Sequence, residues 1–130
     1  MNIIYSNELY CDTPRYINYF NDIYGVSQSY KFDVSDLQQL ESDFKGKYNN
    51  QINILFFETC SNPSGKILDF SIIPELRKQS SKLYVVVDNT WLSSVCFNPL
   101  QYGADIVVTS MTKYYSCGSC LGGFVVGPSS

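Results

Sequence analysis

Leu83-Tyr84-Val85-Val86-Val87-Asp88 is an apolar run closed by a carboxylate, and its reading decides the fold. Leu83 to Val87 is too short for a helix and rich in β-branched residues, so it reads as a buried strand. Its apolar residues are continuous rather than alternating, which suits a strand covered on both faces. The same signature recurs on either side of it, in Ile52 to Phe57, Ala104 to Val108 and Phe124 to Val126.

Helical signals fall between and before these runs. Asp12-Thr13-Pro14 sets a cap candidate ahead of a proline at the first helical position. Tyr16, Ile17, Phe20 and Ile23 then share a face, and Gly25 stops the helix. Ser35 with Gln38 three residues on resembles a capping box, followed by Leu37, Leu40 and Phe44 at helical spacing. Lys45 to Gln51, polar and carrying Gly46, reads as a loop. Asp69 precedes a third helix marked by Ile72, Ile73 and Leu76. This alternation predicts an α/β fold, a mainly parallel sheet with helices on both faces.

Composition bounds the rest. The 130 residues suffice for one compact unit with a core, and 45% apolar against 16% charged residues is globular composition. A net charge of −3 gives no electrostatic reason to expect nucleic acid or an anionic membrane as partner. Apolar runs long enough to span a bilayer and a secretory n-region are both absent, so a cytoplasmic location is expected. Five cysteines are too dispersed for a disulfide scaffold. Cys117 and Cys120 form a C-x-x-C pair that suits either thiol redox chemistry or ordinary packing. A zinc site would need a second pair, and the chain has no histidine, so no metal is expected.

In open parallel sheets, ligands sit at the carboxyl ends of strands. Polar residues collect there: Glu58 and Asn62, then Asp88 to Thr90, then Ser110-Met111-Thr112-Lys113. Hydroxyls beside a lysine suit a phosphate ester and an aldehyde, since hydroxyls donate to phosphate oxygens and an amine condenses with a carbonyl. Taken alone, the tetrapeptide also suits a solvated loop. Asp88, delivered by an apolar strand, needs a charged or hydrogen-bonding partner. A protonated pyridine nitrogen is one such partner; a magnesium ion or a helix end is another.

Glu58-Thr-Cys-Ser-Asn62-Pro, Asp88-Asn89-Thr90-Trp91, Gly103-Ala-Asp105-Ile-Val-Val and Ser110-Met-Thr-Lys113-Tyr occur in an order that resembles the pyridoxal 5'-phosphate (PLP) dependent transsulfuration enzymes. These are the cystathionine γ-synthases, the cystathionine γ- and β-lyases and the methionine γ-lyases. The resemblance runs from about Tyr10 to Gly127. It implies a PLP-dependent lyase or transferase acting on a sulfur-containing amino acid by elimination or replacement, homo-oligomeric in its full-length form. Lys113 would carry the cofactor as a Schiff base and shuttle protons, and Tyr10 would stack on the pyridine ring, both at the catalytic centre. Asp88 would pair with the pyridine nitrogen, and Ser110 and Thr112 would bind the phosphate. Thr90 and Asn62 would lie near the phenolic oxygen. Trp91, where many relatives carry Phe, is similar to some β-lyases.

The pattern also differs from the family's. Cys11 and Asp12 replace two glycines that follow the stacking tyrosine, and Cys117-Gly118-Ser119-Cys120 replaces Gly-His-Ser-Asp. The family's upstream phosphate-binding segment and C-terminal domain have no counterpart in residues 1–130. The resemblance therefore implies a partial PLP-binding large domain, a fragment inactive alone. A non-catalytic α/β interaction domain derived from the family is the competing expectation.

Overall fold

The computed structural model describes residues 1–25, 28–48 and 51–129. Six strands form one sheet: β1 (Asn2–Ser6), β2 (Gln28–Phe32), β3 (Asn53–Glu58), β4 (Leu83–Asp88), β5 (Ile106–Ser110) and β6 (Gly123–Val126). Their order is β2-β1-β3-β4-β5-β6, parallel throughout except for the antiparallel β5–β6 pair. The helices are α1 (Asp12–Tyr24), α2 (Leu37–Gly46), α3 (Ile72–Gln79) and the short α4 (Ser93–Cys96), with a 3-10 turn at Pro99–Tyr102.

The chain steps outward from β1 to β2, then doubles back over β1 to β3 and continues through β4 to β5. Right-handed crossovers in opposite directions put α1 on one face of the sheet and α2 and α3 on the other. The α2–α3 face holds the main core. Ile4, Leu55, Phe57, Val85 and Val87 point into it from the strands, and Leu40, Phe44, Ile73 and Leu76 meet them from the helices. Phe70 adds edge-on contacts to Phe57 and Phe97, at 5.2 and 5.1 Å between ring centres.

The strands differ from expectation in one respect. Along β3, β4 and β5 burial alternates residue by residue, with Ile54, Phe56, Val86, Ile106 and Val108 half-buried and Tyr84 exposed. Both faces are apolar in sequence, yet within this chain only one is fully covered.

Other boundaries shift for local reasons. β2 was not expected as a strand, and β1 was not among the four apolar runs read as strands. Asn2 hides its amide against the Asn53 side chain (2.8 Å), and β2 is an edge strand in which only Phe32 is buried. The cap of α2 is Asp36, which accepts from the Gln39 N–H at 2.9 Å, and not Ser35. Asp12 lies inside α1 and makes no capping bond, so Pro14 stands beyond the first helical position. Gly25, with φ 56°, ends that helix as expected. The expected loop from Lys45 begins one residue after Gly46, and Asn49 and Asn50 lie outside the described residues.

Asp105 ties the opposite, amino-terminal edge of the sheet. Its Oδ2 accepts from the Val85 N–H (2.7 Å) and from Arg77 (2.8 Å), while Arg77 also donates to the Leu83 and Gly103 carbonyls. The pair is about one-third exposed, so solvent screens its charge. Asp105→Ala is expected to lower stability by about 1–2 kcal/mol, chiefly through the orphaned Val85 N–H. Urea denaturation checks this; an unchanged midpoint would refute it.

Candidate active site

The carboxyl ends of β1, β3, β4 and β5 open onto a cavity of about 580 Å³, within the size range of small-molecule sites. It lies where crossovers leave β1 and β3 in opposite directions, the point at which an open α/β sheet parts to form a crevice. Tyr10, Asn62, Asp88, Thr90, Ser110, Thr112 and Lys113 all line this cavity. They come from four separate segments of the chain.

Each is set by its own local structure. Asp88 ends β4, and its Oδ1 accepts from the Thr90 N–H at 2.9 Å, so carboxylate and turn fix one another. Among the described residues its second oxygen has no hydrogen-bond partner. Thr90 Oγ1 accepts from the Ser110 N–H at 2.9 Å, linking the β4 turn to the end of β5. Beneath them Asn89 is 1% exposed. It receives a hydrogen bond from Thr59 Oγ1 (2.9 Å) and donates to the Phe97 carbonyl (2.8 Å). The two strand ends are thus tied through a buried amide.

Lys113 sits in a chain of turns after β5. The Cys117 N–H donates to the Lys113 carbonyl and the Gly118 N–H to the Thr112 carbonyl, each at 2.8 Å. Cys117 (φ 51°) and Gly118 (φ 79°) both occupy the left-handed region, which the glycine adopts without strain and the cysteine does not. The altered Cys117–Cys120 segment therefore still closes a compact loop beside the lysine. Both of its thiols are free and exposed. Lys113 Nζ lies 5.7 Å from the centre of the Tyr10 ring, within cation–π range.

Tyr10 stands just before α1, and Asp12 two residues on holds its phenol above its ordinary pKa, assisted by Cys11. The Cys11-Asp12 substitution thus adds negative charge beside the ring and favours its protonated form. Glu58, at the end of β3, accepts a 2.5 Å hydrogen bond from the Tyr10 N–H. Burial raises its carboxyl above the ordinary range, against the pull of that bond, and neighbouring Asp88 adds to the rise.

Sequence reasoning placed Glu58 among the polar strand ends without giving it a role and did not assign Cys60, Tyr114 or Leu121 to the site, although all four line the cavity. Glu58 carried a signal, as a carboxylate at a strand end. Cys60 carried only its place two residues beyond it. Leu121, 91% exposed, carried none.

The sequence model of the Cys/Met metabolism PLP-dependent enzymes matches residues 1–129. This chain belongs to that family. Cystathionine gamma-lyase of Saccharomyces cerevisiae is 36% identical to this family member over 111 residues, which are 82% of the chain and 26% of the yeast enzyme. A Campylobacter jejuni relative whose structure holds N'-pyridoxyl-lysine-5'-monophosphate superimposes with a TM-score of 0.84 at 32% identity. The match covers 98% of this chain and 30% of that one. Cystathionine gamma synthase of Xanthomonas oryzae pv. oryzae, solved with cystathionine, gives 0.81 at 28% identity over 99% of this chain and 32% of its own. This member of the PLP-dependent family thus spans roughly a third or less of the length of these relatives, and shares the fold of the part of each that it covers.

Proposed function

We propose that this chain forms the central part of the PLP-binding domain of an enzyme that carries out β- or γ-elimination or replacement on a sulfur-containing amino acid. The observation that carries this reading is the convergence of Lys113, Asp88, Ser110, Thr112 and Tyr10 on one cavity.

The donor set fits the cofactor. Asp88 offers an oxygen free of hydrogen bonds among the described residues, matched to a protonated pyridine nitrogen. Ser110 and Thr112 supply hydroxyls for a phosphate, although Thr112 Oγ1 also bonds the Gly122 backbone, accepting from its N–H at 3.1 Å. Tyr10 offers a flat ring, and Thr90 and Asn62 supply polar groups for the phenolic oxygen. When bound, PLP supplies an electron sink for the carbanion formed at the substrate α-carbon. The residues do the rest. Lys113 holds the cofactor covalently and moves a proton at the α-carbon, and Asp88 keeps the ring nitrogen protonated. The Tyr10 ring bounds the cavity and faces the lysine amine.

The same reading gives the enzyme an oligomeric, cytoplasmic setting. Tyr16, Tyr19, Ile23 and Tyr24 expose more than half of their surface along α1, which supports a partner subunit there. The free thiols fit a reducing compartment.

The test is to add PLP to the full-length enzyme that carries this chain, record the visible absorbance of a lysine-bound cofactor, reduce with borohydride and map the modified residue. A label on Lys113 is the expected result. A label on another lysine, or none, overturns the proposal.

A further inference from the structure

Glu58 is the one carboxylate of the cavity to which neither the sequence nor the proposed chemistry gives a task. Its position is unusual. It ends β3 in direct register with Asp88 on β4, so two carboxylates stand side by side at the same edge of the sheet. Repulsion and burial both disfavour a second charge there. A residue that cost stability with no return would be easily replaced by an apolar one, which the half-buried site would accommodate.

What Glu58 does with its oxygens is specific. Oε1 accepts from the Tyr10 N–H, a contact between residues 48 apart in sequence. The Asn62 N–H faces the same carboxylate closely enough to pull its pKa down slightly, against burial. Tyr10 and Asn62 lie on different loops, one after β1 and one after β3, and both line the cavity. The Tyr10 ring in turn lies beneath Lys113 Nζ. Besides Glu58, Tyr10 itself is held by one turn bond, from the Thr13 N–H to the Tyr10 carbonyl at 3.0 Å, while Glu8, two residues earlier, anchors the loop to Ser64 and Lys66 without reaching Tyr10.

We propose that Glu58 is a positioning residue, a clamp that fixes the Tyr10 ring against the cavity and joins that ring to the Asn62 loop. It touches neither cofactor nor substrate in this role. Its effect passes through the main chain of Tyr10, so the hydrogen-bond acceptor matters and the negative charge matters less. The inference rests on the cofactor reading above for its functional consequence, but the clamp itself is testable without cofactor.

Glu58→Ala and Glu58→Gln separate the possibilities. Glutamine keeps an oxygen for the Tyr10 N–H; alanine does not. In Glu58→Ala, amide hydrogen exchange is expected to rise at Tyr10 and Asn62 while the amides of Leu55 and Val85 stay as protected as before. The same variant is expected to bind PLP about tenfold more weakly, because the Tyr10 ring is no longer held against the cavity. Glu58→Gln is expected to restore both readings to within about threefold of the unsubstituted protein. Unchanged Tyr10 exchange in Glu58→Ala, or PLP affinity equal to the unsubstituted protein, overturns the clamp. So does a glutamine variant as weak as alanine, which would make the charge decisive. Absence of a Lys113 label in the unsubstituted protein overturns the cofactor reading instead, and the exchange measurement then judges the clamp alone.

Discussion

In the full-length enzyme proposed to contain this chain, Lys113→Ala is expected to abolish the borohydride-stable cofactor label and to slow turnover of the amino-acid substrate by at least about 10²–10⁴-fold, the contribution of a positioned acid–base group. Loss of the covalent tether adds to that figure. The side chain is exposed and its recorded contact is the cation–π approach to Tyr10, so the fold has little at stake. The turns around it are held by main-chain bonds from Cys117 and Gly118, which alanine preserves. Stability is therefore expected to stay within about 0.5 kcal/mol, as for surface substitutions generally. Measuring label, rate and melting temperature together separates the cases. Retained activity with a label elsewhere would remove Lys113 from the mechanism.

Asp88→Asn tests the other end of the cavity. Asparagine still offers an oxygen to the Thr90 N–H, so the turn and its link to Ser110 persist. What disappears is the negative charge proposed to face the pyridine nitrogen. A hydrogen bond to a charged group contributes about 1.5–3 kcal/mol, so PLP affinity is expected to fall roughly 10- to 100-fold. The rate is expected to fall even at saturating cofactor, because a neutral ring nitrogen makes a poorer electron sink. Titration by visible absorbance and kcat at high PLP check the two parts separately. Normal affinity with a normal rate would show that Asp88 serves only the turn.

The legible parts of the molecule were those with redundant signals. β3, β4 and β5 announced themselves by apolar runs, and their ends by the polar residues that followed. β1 and β2 did not, because Asn2 and Ser6 are polar yet buried, and Gln28, Ser29 and Lys31 belong to an edge. Asn2 tolerates burial only because Asn53 meets it, and that contact cannot be read from either residue alone. Ser35 was the cap expected for α2, but the next residue, Asp36, makes the capping bond. Within the site, residue types and spacing indicated the groups aimed at a ligand. The groups that hold them, Glu58 on Tyr10 and Asn89 between Thr59 and Phe97, depend on contacts 48, 30 and 8 residues apart. Local pattern carries no record of the two longer ones.

The cavity draws its walls from Tyr10 at one end of the chain and Leu121 near the other. Each parallel crossover must close before the next strand end arrives, and loop-closure entropy is spent before the long-range contacts repay it. No partly folded intermediate that lacks β5 presents both the Tyr10 ring and Lys113. A cofactor held by both would therefore bind the finished sheet and not the unfolded chain. Mass action then makes PLP a guardian of the fold: at a hundred times its dissociation constant it adds about 2.7 kcal/mol to stability.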